Sequence, residues 1–409
     1  MRRSTKGSSL KLSADSQRLA SLAHAILQAS SRLEERSWER SLDALLQKLL
    51  KTDHQNTIDA ALDFLFVADV STYDVLMESV EAVSSSARIE RDDKHYDALL
   101  IAVPVLAWTR FVIASGPIAA DHVMTLSAHL YGHVLAEDTR LAMAPTLFSI
   151  DQLPRTHAET YTMTQRMAQA ALAGAALGPL VNPADTAPFL ADTRYLLAVV
   201  VAAADAPFFR WQTSPTQLNV MAEREEALTQ WRTQSIPSVE RLLPGCGVEL
   251  LAPEAYYVAC READRKVRPV SIHAAVHYLT HSLGIEATRL SVIIGNFGEE
   301  LNNDRVDEYR ISFTLLKKSE VIYGIVWPLY GPETAEEDTA IDEMPGTDPI
   351  NEIMALLKEC GVTDITHHDE HFPMEFCDDC GAPLFSDAEA ELVHAEMPDD
   401  MPQTSGHLH

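Results

Sequence analysis

Tyr309-Arg-Ile-Ser-Phe-Thr-Leu-Leu-Lys-Lys-Ser-Glu-Val-Ile-Tyr-Gly-Ile-Val-Trp327 reads as a β-hairpin. Tyr309, Ile311, Phe313 and Leu315 alternate with polar or smaller residues, as do Val321, Tyr323, Ile325 and Trp327. A period of two is what a strand with one buried face requires, and the polar stretch 317–320 supplies the turn. Outward from this hairpin, 290–294 reads as a buried strand and 140–150 as an extended segment. The valine-rich run 195–202 has no polar face, which fits a strand buried on both sides. Helical periodicity at 155–173, 219–234, 253–265 and 269–283 separates these strands. Residues 119–330 are therefore expected to form an α+β body, or an α/β one, built on a mixed sheet with helices.

The stretch before it, 13–115, reads as helical. Leu19, Leu22, Ala23 and Ile26, then Leu42, Leu45, Leu46 and Leu49, recur at steps of three and four, the spacing of a buried helix face. Ile58, Ala61, Leu62 and Leu65 continue the pattern, and a third helical segment is expected over 95–111, kinked at Pro104. Ser115-Gly-Pro117 closes this region, giving a helical unit over 1–118. After the body comes an acidic connector with Pro and Gly, 331–349, then a short helix near 350–360 and a cysteine tail, so that 331–409 forms an acidic linker and a small zinc knuckle. At 409 residues, 46% apolar and 22% charged, the chain is globular and long enough for two or three such units.

Five cysteines, sparse and odd in number, do not make a secreted disulfide framework. The basic start, Met1-Arg-Arg, has no apolar run behind it, and the most apolar runs fall short of the ~20 residues that span a bilayer. A reduced, soluble, cytoplasmic protein is expected. Its formal charge is −28, concentrated in 331–409, where 21 acidic residues face a single base, Lys358. Such a tail repels nucleic acid, whose binding depends on neutralising phosphates, and suits cations or a basic protein surface.

The tail reads His367-His-Asp-Glu-His371-Phe-Pro-Met-Glu-Phe-Cys377-Asp-Asp-Cys380-Gly-Ala-Pro-Leu-Phe385. Cys-x-x-Cys-Gly is the chemistry of a zinc knuckle: two residues of spacing let both thiolates reach one ion, and Gly381 can take the left-handed turn conformation. Structural zinc requires four ligands. His394, with thirteen residues between it and Cys380, and His371, six positions before Cys377, complete the expected set of Cys377, Cys380, His394 and His371. His367, His368 and Cys360 are further candidates. With four protein ligands the single Zn2+ is structural. The pair can otherwise serve as a redox dithiol, a reversible disulfide or two unligated thiols, although Gly-Ala-Pro after Cys380 does not open the helix that redox dithiols favour.

Two histidine stripes stand apart from the tail. His273, His277 and His281 recur at four-residue steps, and His122, His129 and His133 lie on one face of a second helical pattern near Glu137 and Asp138. Over eight helical residues the outer pair of the first stripe is ~12 Å apart, so one ion takes at most two of them. Both stripes also fit ordinary amphipathic helices. His157-Ala-Glu159 with the distant cysteine pair does not make a deaminase signature, because more than 200 residues intervene and no proline precedes Cys377. The acidic residues after Gly295-Asn-Phe-Gly298 lack calcium-loop spacing.

Tyr309-Arg-Ile-Ser-Phe313, Val326-Trp-Pro-Leu-Tyr330 and Phe372-Pro-Met-Glu-Phe-Cys-Asp-Asp-Cys-Gly-Ala-Pro-Leu384 resemble the C-terminal half of a bacterial family of cytoplasmic proteins catalogued as a domain of unknown function. The resemblance runs over most of the chain and implies one coherent protein, with no activity or site residue attached. Two functions are left in competition. One is a non-enzymatic interaction or regulatory protein that docks a basic partner through its acidic tail. The other is a metal-dependent hydrolase whose two histidine stripes converge on one pocket. A nucleic-acid-binding zinc ribbon is disfavoured by charge, and no feature sets an oligomeric state.

Overall fold

The computed structural model of the chain describes residues 12–178, 184, 186, 189–213, 220–298, 306–330 and 348–397. Almost all of the expected connector, 331–347, and the acidic loop 299–305 lie outside the described residues. The chain opens with four helices, α1 (Ala14–Leu27), α2 (Arg32–Lys51), α3 (Gln55–Ala68) and α4 (Val70–Ser85). Ser13, Ser31 and Asp69 cap α1, α2 and α4 by accepting from backbone N–H groups of the first turn. Their apolar faces, with Leu19, Leu42, Leu46, Ile58, Leu76 and Val80 fully buried, form one core that also takes in Ala158.

From residue 86 the chain turns to strand. β1 (Ser86–Arg91), β2 (Lys94–Trp108) and β3 (Gly116–Pro117) precede α5 (Ala120–His133), β4 (Arg140–Ser149), α6 (His157–Ala173) and β5 (Ala191–Ala203). After α7 (Val220–Leu242), the short β6 (Gly247–Leu250) and β7 (Glu254–Ala255) both pair with β2. The order is β1-β2-β5-β4-β3, and the pairings within this sheet are antiparallel. The helix expected over 95–111 is thus a strand. On β2, Leu100, Ala102 and Leu106 face α6, whereas Ile101, Val103, Val105 and Ala107 face α5 and α7. With helices on both faces, the strand is apolar throughout and carries no alternation to read. Pro104 sits where the outer neighbour of β2 changes from β7 to β6, and its carbonyl accepts from Leu251.

α8 (Tyr256–Leu283) is a single helix with Pro269 inside it, joining the two expected segments 253–265 and 269–283. Its first half, through Ala259 and Ala263, packs on the large sheet. Its second half, through Ile272, Ala275, Val276 and Leu279, packs on a smaller sheet. That sheet contains β8 (Leu290–Gly298), β9 (Glu308–Leu315), β10 (Val321–Pro328) and, beyond α9 (Pro349–Glu359), β11 (Asp364–Pro373). The order is β10-β9-β8-β11; β8 to β10 form an antiparallel meander and β11 lies parallel to β8. The expected hairpin forms, with Tyr309 opposite Trp327 and Ile311 opposite Ile325. Tyr309, Ile311 and Phe313 face α8 and α9, and the intervening Arg310, Ser312 and Thr314 face the other way. A helical unit, two sheets and their covering helices make this an α+β protein.

Where α8 crosses β5, Asp264 lies near Tyr195, Tyr256, Asp192 and Arg268. Burial pushes its carboxyl up to about 6, opposed by the Arg268 guanidinium and reinforced by Asp192. The folded state therefore holds a proton that the unfolded chain releases near pH 4. The contribution is fully present below the unfolded value and is lost as pH rises through 6. Asp264→Asn is expected to raise stability at pH 7.5 by on the order of 2 kcal/mol, with no gain at pH 4. Urea titrations at the two pH values check this; an equal effect at both would sink it.

Candidate metal centre

β11 carries the chain along the edge of the small sheet, ending where Phe372 stacks on Phe297 with centroids 5.2 Å apart. The chain then folds across the polar face of the same sheet. Phe376 bridges Pro383, and within that bridge the Cys377 N–H donates to the Ala382 carbonyl at 2.7 Å and the Gly381 N–H to the Cys377 carbonyl at 2.8 Å. Gly381 has φ +74°, the left-handed geometry that the turn needs. Backbone N–H groups of Cys380, first, and of Asp379 point at the Cys377 sulfur and hold its thiol below the usual cysteine range, favouring the thiolate that binds metal. A second hairpin, β12 (Phe385–Ser386) with β13 (Leu392–Val393), follows at once and delivers His394.

His394 is fixed from both sides. The Glu396 N–H donates to the Val321 carbonyl on β10 at 2.9 Å, anchoring the chain just beyond it. Its Nε2 lies 3.1 Å from Cys380 Sγ, and its Nδ1 faces the Glu396 carboxylate at 3.5 Å. A carboxylate near the far ring nitrogen is placed to orient a metal-binding imidazole. Donor atoms of Cys377, Cys380 and His394 lie within 4.8 Å of one another. Two ligands on one tetrahedral zinc stand roughly 3.5 Å apart, given Zn–S and Zn–N bonds of about 2.3 and 2.0 Å. The three side chains therefore fit one ion.

The sheet beneath is shaped for this tail. A Cβ on Gly324 would come within 2.2 Å of the Phe385 ring, and one on Gly295 within 2.6 Å of Ser386 Oγ, so both positions need the bare backbone. Ser312 donates to the Ser386 carbonyl at 2.6 Å. Arg310, fully buried, donates to the carbonyls of Glu375 at 2.8 Å and Leu384 at 2.5 Å, one on each arm of the knuckle. Its guanidinium lies over Phe297 and Phe376 at 4.3 and 5.2 Å. None of these supports was evident from the sequence, in which Arg310 and Ser312 look like the solvent side of a hairpin.

Among the described residues, the donor group contains Cys377, Cys380 and His394 without His371. His371 sits on β11 opposite Asn296. The other tail histidines have structural partners: His367 Nε2 meets Asn296 Oδ1 at 2.8 Å, and His368 Nε2 donates to the Asp387 carbonyl at 2.8 Å. Cys360 Sγ lies 3.1 Å from His273 Nδ1. In the stripes, His129 stacks on His133 and His277 on His281, with centroids 6.4 and 6.0 Å apart. No set of three donors from the two stripes comes together among the described residues.

A family model described as Protein of unknown function (DUF2863) matches residues 4–408. The chain belongs to this family. The match takes in the helical unit, both sheets and the knuckle, so the resemblance carried by the hairpin and the cysteine tail holds for nearly the whole chain. No curated protein and no solved structure matches this family member. No helix among its described residues is long and apolar enough to cross a membrane.

Proposed function

We propose that this protein is a non-enzymatic interaction protein of the cytoplasm, in which one structural zinc ion holds the acidic C-terminal region in shape to dock a basic protein surface. The convergence of Cys377, Cys380 and His394 carries the reading. Two thiolates and an imidazole are donors that select zinc over the hard cations, which prefer oxygen. Glu396 lies 3.5 Å from the Nδ1 of His394, on the side of the ring away from the ligand nitrogen. None of the five cysteines is paired in a disulfide, which suits a reducing compartment. The 21 acidic residues of 331–409 supply the field that a basic partner would feel.

Metal content of chelator-washed, untagged protein tests it. One zinc per chain is expected by plasma mass spectrometry, absent in Cys377→Ser/Cys380→Ser. Metal-free wild type after zinc reconstitution would overturn the assignment. The partner complex is expected to weaken steeply with salt, and indifference to salt would remove the electrostatic docking.

A further inference from the structure

We propose, building on the zinc reading above, that Cys377 and Cys380 are also a site of covalent modification: a neutral peroxide joins them in a disulfide and expels the ion. The two cysteines flank a turn in which the Gly381 N–H donates to the Cys377 carbonyl at 2.8 Å. Their sulfurs belong to a donor group no wider than 4.8 Å. The ends of a four-residue turn have Cα atoms within about 7 Å, and a disulfide spans about 4.4–6.8 Å. Side-chain rotation therefore closes the bond with the turn in place. Arg310 holds the carbonyls of Glu375 and Leu384 on either side, so the frame is common to both states. Cys380 is exposed and Cys377 half-buried, which makes Cys380 the sulfur that an oxidant meets first.

The step balances with peroxide as the oxidant. The Cys380 thiolate attacks one peroxide oxygen and the O–O bond breaks, leaving a sulfenic acid and hydroxide. The Cys377 thiolate then attacks the Cys380 sulfur, the S–O bond breaks, and a second hydroxide departs. With two protons from solvent, two thiolates and one hydrogen peroxide give one disulfide and two waters. The sulfurs lose two electrons and the peroxide gains them. Neither disulfide sulfur carries the negative charge that binds zinc, so His394 is the one donor left of the three and the ion departs. Exposed Glu375, Asp378, Asp379 and Glu391 set the class of oxidant. Their field opposes anionic oxidised glutathione and leaves neutral hydrogen peroxide free to approach.

Zinc-loaded, full-length protein is treated with hydrogen peroxide and, separately, with oxidised glutathione at equal concentration. Zinc release is followed with a chromogenic chelator, and cysteine pairing by peptide mapping after alkylation. One zinc released per chain, in step with a Cys377–Cys380 disulfide and reversed by dithiothreitol with added zinc, is the expected result. Oxidised glutathione is expected to act at least about tenfold more slowly, because like charge opposes its approach. An equal rate would overturn the choice of oxidant. Zinc release with sulfinic or sulfonic acid at either position, or with either sulfur paired to Cys246, Cys260 or Cys360, would overturn the disulfide. Retention of zinc and of both thiols at a dose that oxidises the exposed Met124 and Met221 would overturn it as well. A protein that holds no zinc before peroxide is added would instead refute the zinc reading, and the modification would fall with it.

Discussion

Removing the metal is expected to speed amide hydrogen exchange across 376–394 by about 100-fold or more while leaving the amides of β8, β9 and β10 unchanged. The factor follows from mass action: an ion present at a hundred times its dissociation constant contributes about 2.7 kcal/mol to whatever it holds together. Beyond the Arg310 and Ser312 bonds to Leu384 and Ser386 and the buried Ala382 and Phe385, the restraints on the segment are short. Its strands are two residues each, joined by one bridge and one short ladder, and Phe376, Asp378, Asp379, Cys380 and Glu391 are exposed. Such elements are marginal unless stapled. By contrast, β8–β10 have Val292, Ile294, Ile311 and Phe313 buried against α8 and α9, so their opening is governed by the core. Exchange mass spectrometry on zinc-loaded and chelated protein reads the difference directly. Equal protection of 376–394 in both forms would mean that packing alone holds the knuckle. Protection lost throughout the small sheet would mean that the metal is part of its core.

How far the sequence disclosed this architecture depended on how each element is buried. β9 and β10 were legible because one face meets a core and the other is polar, which imposes a period of two. β2 was not, since Ala98 through Ala107 is apolar on both faces, and an unbroken apolar run is compatible with helix or strand. β5 has the same two-sided burial, yet its Val199-Val-Val201 run tips the reading to strand, because β-branched side chains favour it. In the tail, Cys377 and Cys380 were legible because two residues of spacing determine their separation through a tight turn. His371 looked equally close in sequence, but it belongs to a strand. At about 3.3 Å per residue, an extended segment moves a side chain away quickly. Arg310 could not be recognised at all: an arginine on the outer face of a hairpin looks solvated until a distant segment, 374–386, covers it.

That coverage makes Arg310 the side chain whose loss is expected to matter most. Its Nε donates to Glu308 Oε1 at 2.6 Å, and Nη1 bonds the carbonyls on both arms of the knuckle. Arg310→Met keeps the apolar stem but leaves the largely buried Glu308 carboxylate and two carbonyls without their donor. Breaking a buried pair by removing one partner costs about 3–5 kcal/mol, mostly from the charge left behind. Arg310→Lys is expected to recover less than half of this, since a compact ammonium cannot lie flat between Phe297 and Phe376 while reaching Glu308, Glu375 and Leu384. Arg310→Met/Glu308→Gln separates the two contributions. If the stranded charge dominates, the double variant regains most of the loss; if the carbonyl clamp dominates, it regains little, and zinc affinity falls with stability because the knuckle arms are no longer held in register. Denaturant titration of the four proteins, with zinc competition on the same samples, decides between these. An Arg310→Met protein within 1 kcal/mol of wild type, near the span of neutral surface substitutions, would show that the guanidinium only fills space between the two rings.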